Sequence, residues 1–100
     1  MSNYRRGRGF EYRVRSFLES RGWVVVRCSR SRPFDLVALK GGRILLVECK
    51  LDGRERREQR ELQLELAERA GGTYVLVTGG PGWRERLSSL LSRLEAARIG

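Results

Sequence analysis

Hydrophobic positions recur along this chain in two rhythms. Between residues 9 and 21 they fall at Phe10, Val14, Phe17 and Leu18, the spacing of a helix with one apolar face, and Gly22 stands where such a helix would end. Glu11 lies beside Val14 and Leu18 on that wheel, at the border of the apolar face. The rhythm then shortens. "WVVVRCS" at 23–29, "FDLVALK" at 34–40 and "RILLVECK" at 43–50 are rich in β-branched and aliphatic residues and predict three strands, the last two joined by Gly41-Gly42. Residues 55–70 return to helical spacing, with Leu62, Leu66 and Ala70 expected on one stripe, and Gly71-Gly72 closes them. "TYVLVT" at 73–78 predicts a fourth strand, and 83–98 a third helix with Trp83, Leu87, Leu90, Leu91 and Leu94 inward.

The order αβββαβα predicts an α/β fold: a single domain with a mixed β-sheet flanked by helices, in which the helix between the third and fourth strands permits parallel pairing. Residues 9–100 form that domain, and residues 1–8 are expected as a basic amino-terminal arm. One hundred residues suffice for one modest core. No run reaches the roughly 18 apolar residues of a membrane span, and the start lacks a signal-peptide core. A cytoplasmic protein without membrane or small-molecule cofactor is expected.

Composition narrows the chemistry. There is no histidine and there are only two cysteines, Cys28 and Cys49, so a structural zinc site and histidine-activated nucleophiles are excluded. Both cysteines sit in apolar runs and read as small buried hydrophobes. Carboxylates, lysine, hydroxyls and a hard metal ion remain. The net charge of +9 points to a polyanion, nucleic acid first. Nineteen of the basic residues are Arg and only Lys40 and Lys50 are Lys. Biased nucleotide composition explains such skew, yet it makes each surviving lysine informative.

Against this background the hairpin "FDLVALKGGRILLVECK" is unexpected, because it sets Asp35, Glu48 and Lys50 among aliphatic residues. Alternation puts Glu48 and Lys50 on one face. Counting outward from the Gly-Gly turn, Lys40 faces Arg43 and Asp35 comes opposite Glu48, so the three charges converge at one sheet end. Two neighbouring carboxylates repel, and burial makes them costly unless compensated. Lys50 neutralises one, and a divalent cation relieves both. Oxygen ligands suit Mg²⁺, with Mn²⁺ as substitute. A structural ion pair at a strand end is the plain alternative.

The same stretch resembles the D…E-x-K core of the PD-(D/E)xK nucleases, whose fold is restriction-endonuclease-like. Around it, "RRGRGFE", "GWVVVRC", "SRSRPFD" and "ELAERAGGTYVLV" are similar to segments of the archaeal-type Holliday junction resolvases, over roughly residues 5–83. The resemblance implies metal and catalytic roles for Glu11, Asp35, Glu48 and Lys50, with the Cys49 backbone carbonyl as a further metal ligand. It implies a loop serine at Ser31, a phosphate contact from Arg27, and an arm containing Arg5 and Arg6. Two departures stand out: Tyr12 follows the helix acid where the family often has a basic residue, and a helix follows Trp83 where the family tends to continue with a strand.

Arg5, Arg6, Arg8, Arg30 and Arg32 flank the acidic pocket in sequence, and arginine grips phosphate with two donors at once. The mixed-sign run from Arg54 to Arg69 reads as a salt-bridged exposed face rather than a DNA contact; the nuclease resemblance offers Gln59, a polar residue after E-x-K, as a lesser candidate to reach the pocket. The expected function is metal-dependent endonucleolytic hydrolysis of branched DNA by paired nicks at a Holliday junction. A related nuclease for duplex, nicked or flap DNA, and a non-catalytic DNA-binding module, are the alternatives. Cutting two strands symmetrically implies a homodimer, for which the third helix offers a possible interface.

Overall fold

A computed structural model describes residues 3–28, 33–52 and 54–97. Seven elements follow in the predicted order: α1 (Asn3–Ser20), β1 (Val24–Arg27), β2 (Leu36–Lys40), β3 (Arg43–Lys50), α2 (Arg57–Ala70), β4 (Thr73–Thr78) and α3 (Trp83–Ala96). The four strands form one mixed sheet in the order β1-β2-β3-β4. β1 to β3 are antiparallel neighbours, whereas β4 runs parallel to β3 after the α2 crossover. No helix among the described residues is long and apolar enough to cross a membrane.

The β2–β3 turn fixes the register on which the site depends. Gly41 and Gly42 have φ of 55° and 81°, as a two-residue turn with the strands' own twist requires. Lys40 therefore pairs with Arg43 and Leu36 with Val47. A slip of one residue would exchange the two faces of the sheet.

One face is dry. Phe10, Val14 and Leu18 of α1 and Trp83, Leu87 and Leu91 of α3 pack onto Leu36, Ala38, Leu45, Val47, Val75 and Val77. Trp83 sits edge-on against Phe10 and Phe17, with ring centroids 5.4 and 5.7 Å away. Leu90 and Leu94 are half-buried against the same core. The third helix thus turns its apolar stripe onto the chain's own sheet, as its inward-facing pattern predicts, and does not offer that stripe as an interface.

The opposite face is covered by α2, and here the predicted stripe is wrong. Leu62 is 52% exposed, while Gln63 and Ala67 are the buried residues. α2 is rotated so that its inner face carries amides. The first helix also differs from expectation: it starts at Asn3, six residues before the apolar periodicity, so residues 3–8 are helical.

Candidate active site

At the end of the hairpin away from the glycine turn, Asp35 breaks the ladder. Its N–H donates to the Val47 carbonyl on β3 (2.9 Å), while its carbonyl accepts the Cys28 N–H from the β1 side (2.9 Å). An extended residue points both groups to one neighbour; Asp35 divides them, and its side chain fills the place left. Oδ2 accepts the Cys49 N–H at 2.8 Å. The carboxylate is thereby locked across β3 and is only 6% exposed.

Glu48, across the hairpin, is 1% exposed. A carboxylate so deep needs partners for its oxygens. Gln63 of α2 donates to Oε1 at 3.0 Å, Gln59 donates to Oε2 at 3.4 Å, and the Lys50 ammonium stands 3.4 Å from Oε2. Gln63 is itself fixed: its amide nitrogen also reaches the Pro33 carbonyl (2.6 Å), and its oxygen accepts from the Tyr74 hydroxyl (2.8 Å). Tyr74 lies 2.7 Å from a Glu55 oxygen as well. Burial, and then the hydrogen bond with Glu55, push the Tyr74 phenol up, so it stays neutral and serves the network as a hydroxyl.

Glu11 reaches the same sheet end from α1 and accepts a hydrogen bond from Arg27 of β1 at 3.3 Å. Cys49 registers the convergence electrostatically. Its thiol is pushed up by burial first, then by the charges of Asp35, Glu11 and Glu48. Acids from α1, the start of β2 and the end of β3 therefore act on one point. The protonated thiol is no nucleophile, which agrees with its bland reading in the sequence. Among the described residues no three His, Cys, Asp or Glu side chains stand as a ready-made cation cage.

The structure thus brings together Glu11, Arg27, Asp35, Glu48, Cys49 and Lys50. Arg8 lies on α1 beside a cavity that Glu11 and Arg27 also line. Arg6 is exposed on the first turns of α1. Arg30, Ser31 and Arg32 lie outside the described residues, as does the Arg5 side chain.

Set beside known proteins, the chain matches a family model described as archaeal Holliday junction resolvase (Hjc) over residues 2–96. It belongs to that family. A relative is the crossover junction endodeoxyribonuclease Hjc of Methanocaldococcus jannaschii, 33% identical over 77 residues, which are 73% of this chain and 58% of that protein. The chain spans somewhat more than half of that relative's length.

Within this member of the archaeal Holliday junction resolvase family, two contributors to the site escaped the sequence reading. A stripe through Leu62 leaves Gln63 outward; the competing set Gln59, Gln63, Leu66 and Ala67 has equally good helical spacing and puts two amides inward. Tyr74 reads as an ordinary strand aromatic, and nothing local reveals its bond to α2.

Proposed function

We propose that this chain is a metal-dependent DNA endonuclease that hydrolyses phosphodiester bonds in branched DNA, resolving four-way junctions by paired nicks. The observation that carries the reading is the buried Asp35–Glu48 pair with Lys50 beside it, at the open end of a rigid hairpin. Burying two acids there costs stability, and their partners hold both carboxyl groups in fixed orientations. That is the expected state of groups assembled for chemistry.

The donor set fits a hard divalent cation. Its atoms are carboxylate oxygens, and the Cys49 carbonyl faces the same neighbour as the Cys49 N–H that binds Asp35. Mg²⁺ needs few protein ligands because it keeps several waters, so the lack of a three-residue cage is no obstacle. Asp35, Glu48 and the Cys49 carbonyl would hold Mg²⁺ or Mn²⁺, with Glu11 in support. Bound there, the ion supplies positive charge to the phosphoryl oxygens.

The protein's own groups do the rest. Lys50 orients the attacking water in line with the departing oxygen and stabilises the negative charge that develops. Gln63 and Gln59 keep Glu48 in one orientation. Arg27 holds Glu11 and contacts a DNA phosphate, joined by Arg5, Arg6, Arg8, Arg30 and Arg32 as sequence-blind phosphate contacts. Ser31 is assigned beside the reacting phosphate on resemblance alone.

Symmetric nicking requires two sites, hence a homodimer. The surface that suits it is the face of β1 and β2 that α2 leaves uncovered, where Val24, Val26 and Leu39 are 63%, 50% and 40% exposed. Val24 pairs with Leu39 and Val26 with Val37, so that they share one face as a flat apolar patch.

The test is cleavage of a labelled four-way junction beside matched linear, nicked and flap DNAs, with Mg²⁺ and with EDTA. Paired symmetric nicks on the junction, lost with EDTA and in Asp35→Ala, are expected, while Asp35→Ala still binds. Cutting of linear or flap DNA with equal ease would remove the junction from this reading. Binding without any cutting would remove the nuclease.

A further inference from the structure

Beside the acids, on the α1 side of the sheet, lies a cavity of about 460 Å³. Its size is within the range of clefts that take small organic groups. Arg8, Gly9, Tyr12 and Arg15 form its wall along one face of α1, and Arg27 and Leu36 its wall along the sheet. Glu11 joins it to the active site.

Tyr12 is the unusual member. It is 67% exposed, the most exposed large hydrophobic side chain among the described residues, and its hydroxyl makes no hydrogen bond among them. A single exposed aromatic on a flat surface would need no explanation. This one stands in a concavity, with Arg8 one turn before it, Arg15 one turn after it and Arg27 across from it. Arginines alone suffice for phosphate. An aromatic face among them adds affinity for a flat, uncharged ring attached to a phosphate.

Gly9 strengthens the point. Glycine inside a helix costs about 1 kcal/mol relative to alanine, and packing does not demand it here. An added Cβ would meet only the mobile end of Arg13, at 3.6 Å. Its effect is to leave the cavity wall bare at helix backbone, so that a planar group can come close.

We propose that this cavity is a nucleobase-stacking site, with Tyr12 as the platform, which receives an unstacked base at the DNA branch point. This rests on the function proposed above and assigns its structure selectivity to a residue. In continuous duplex both faces of every base are already stacked, and extracting one costs several kcal/mol. At a branch the strands exchange partners and the terminal bases lose a neighbour, so the cost falls. Phosphate contacts cannot make that distinction, because every DNA has phosphates. Stacking on an aromatic face is tolerant of sequence, as a branch-directed enzyme requires.

The experiment compares the full-length wild type, Tyr12→Ala and Tyr12→Phe for binding to a four-way junction and to linear duplex of equal length, in EDTA so that nothing is cut. A 2-aminopurine beside the branch reports its own stacking. Loss of one base stack corresponds to about 5- to 150-fold in affinity. Tyr12→Ala is expected to lose that much on the junction and nothing on the duplex, and to change the 2-aminopurine signal of the bound junction. Tyr12→Phe, which keeps the ring, is expected to match the wild type. Equal loss on both DNAs, or no loss on either, overturns the stacking site while leaving the nuclease intact. A wild type with no preference for the junction overturns the proposed substrate, and this inference with it.

Discussion

The two lysines of this chain stand at opposite ends of the same hairpin and differ in what surrounds them. Lys40, at the glycine turn, donates to the Arg21 carbonyl at the end of α1 (2.8 Å) and to the Glu95 carboxylate at the end of α3 (3.0 Å). Beside it Arg43 donates to the carbonyls of Leu94 and Glu95. Both cations finish helices, where the carbonyls lack intrahelical donors and the helix dipole favours positive charge. Lys50, at the far end, finishes nothing. It stands 3.4 Å from a carboxylate that two glutamines also hold, next to a second buried acid. The same residue type ties helix ends to the turn at one end and faces buried carboxylates at the other, and under the proposed function the second is the reagent.

The sharpest way to break the comparison is to remove each lysine and read both activity and stability. Lys50→Ala should lower junction cleavage about 10²- to 10³-fold, the usual worth of one group stabilising developing charge. Its chemical-denaturation midpoint should move little, because a half-buried ammonium beside an already hydrogen-bonded carboxylate adds modest net stability. Cleavage by Lys50→Ala at the wild-type rate would reduce the site-end lysine to the same structural role as Lys40.

How far this contrast was legible in the sequence follows from the range of the interactions. The Gly41-Gly42 turn is local, so it fixed the β2–β3 register and with it the meeting of Asp35 with Glu48. β3 and β4 were read to the residue because alternating or continuous apolar runs bounded by glycine leave little choice. The ends of α1 and α2 were not. Residues 3–8 carry no apolar period, yet they continue the helix that Phe10 and Val14 anchor to the sheet. The rotation of α2 was missed because a leucine was assumed to outrank a glutamine for burial. The buried carboxyl group of Glu48 reverses that order, since an amide donor is worth more there than a methyl group. Likewise the partners of Lys40 lie 19 and 55 residues away, beyond any local signal.

A smaller effect is expected from Gln63, which serves the site without touching the chemistry. Gln63→Ala removes the amide that bonds Glu48 Oε1, the Pro33 carbonyl and the Tyr74 hydroxyl, of which the last keeps Glu55. The fold should lose about 1–3 kcal/mol. If Glu48 holds the metal as proposed, cleavage should fall about 10- to 100-fold, the usual loss when a group orienting a metal ligand is removed. Raising the Mg²⁺ concentration should recover part of it, which separates an orienting role from the loss expected of Lys50→Ala. A Gln63→Glu variant, placing a second carboxylate against Glu48, should be worse on both readouts; if it were as active as wild type, the amide would not be what holds Glu48.

The smallest effect belongs to Lys40, and it sharpens the comparison from the other side. Its ammonium is more than a third exposed, so water screens its pairing with Glu95. Lys40→Ala should cost about 1 kcal/mol in urea denaturation, mostly from the lost bond to the Arg21 carbonyl. Glu95→Gln should cost less, since that carbonyl bond survives, and the double variant should fall short of the sum because one ammonium serves both partners. Cleavage at saturating Mg²⁺ should be unchanged in all three, for the hairpin's register is set by its glycines and not by the ion pair. A fall in cleavage that tracks the stability loss would instead mean that the turn end and the site end move as one body. In that case fastening α1 and α3 to the turn would be part of how Glu11 and Asp35 are kept in place.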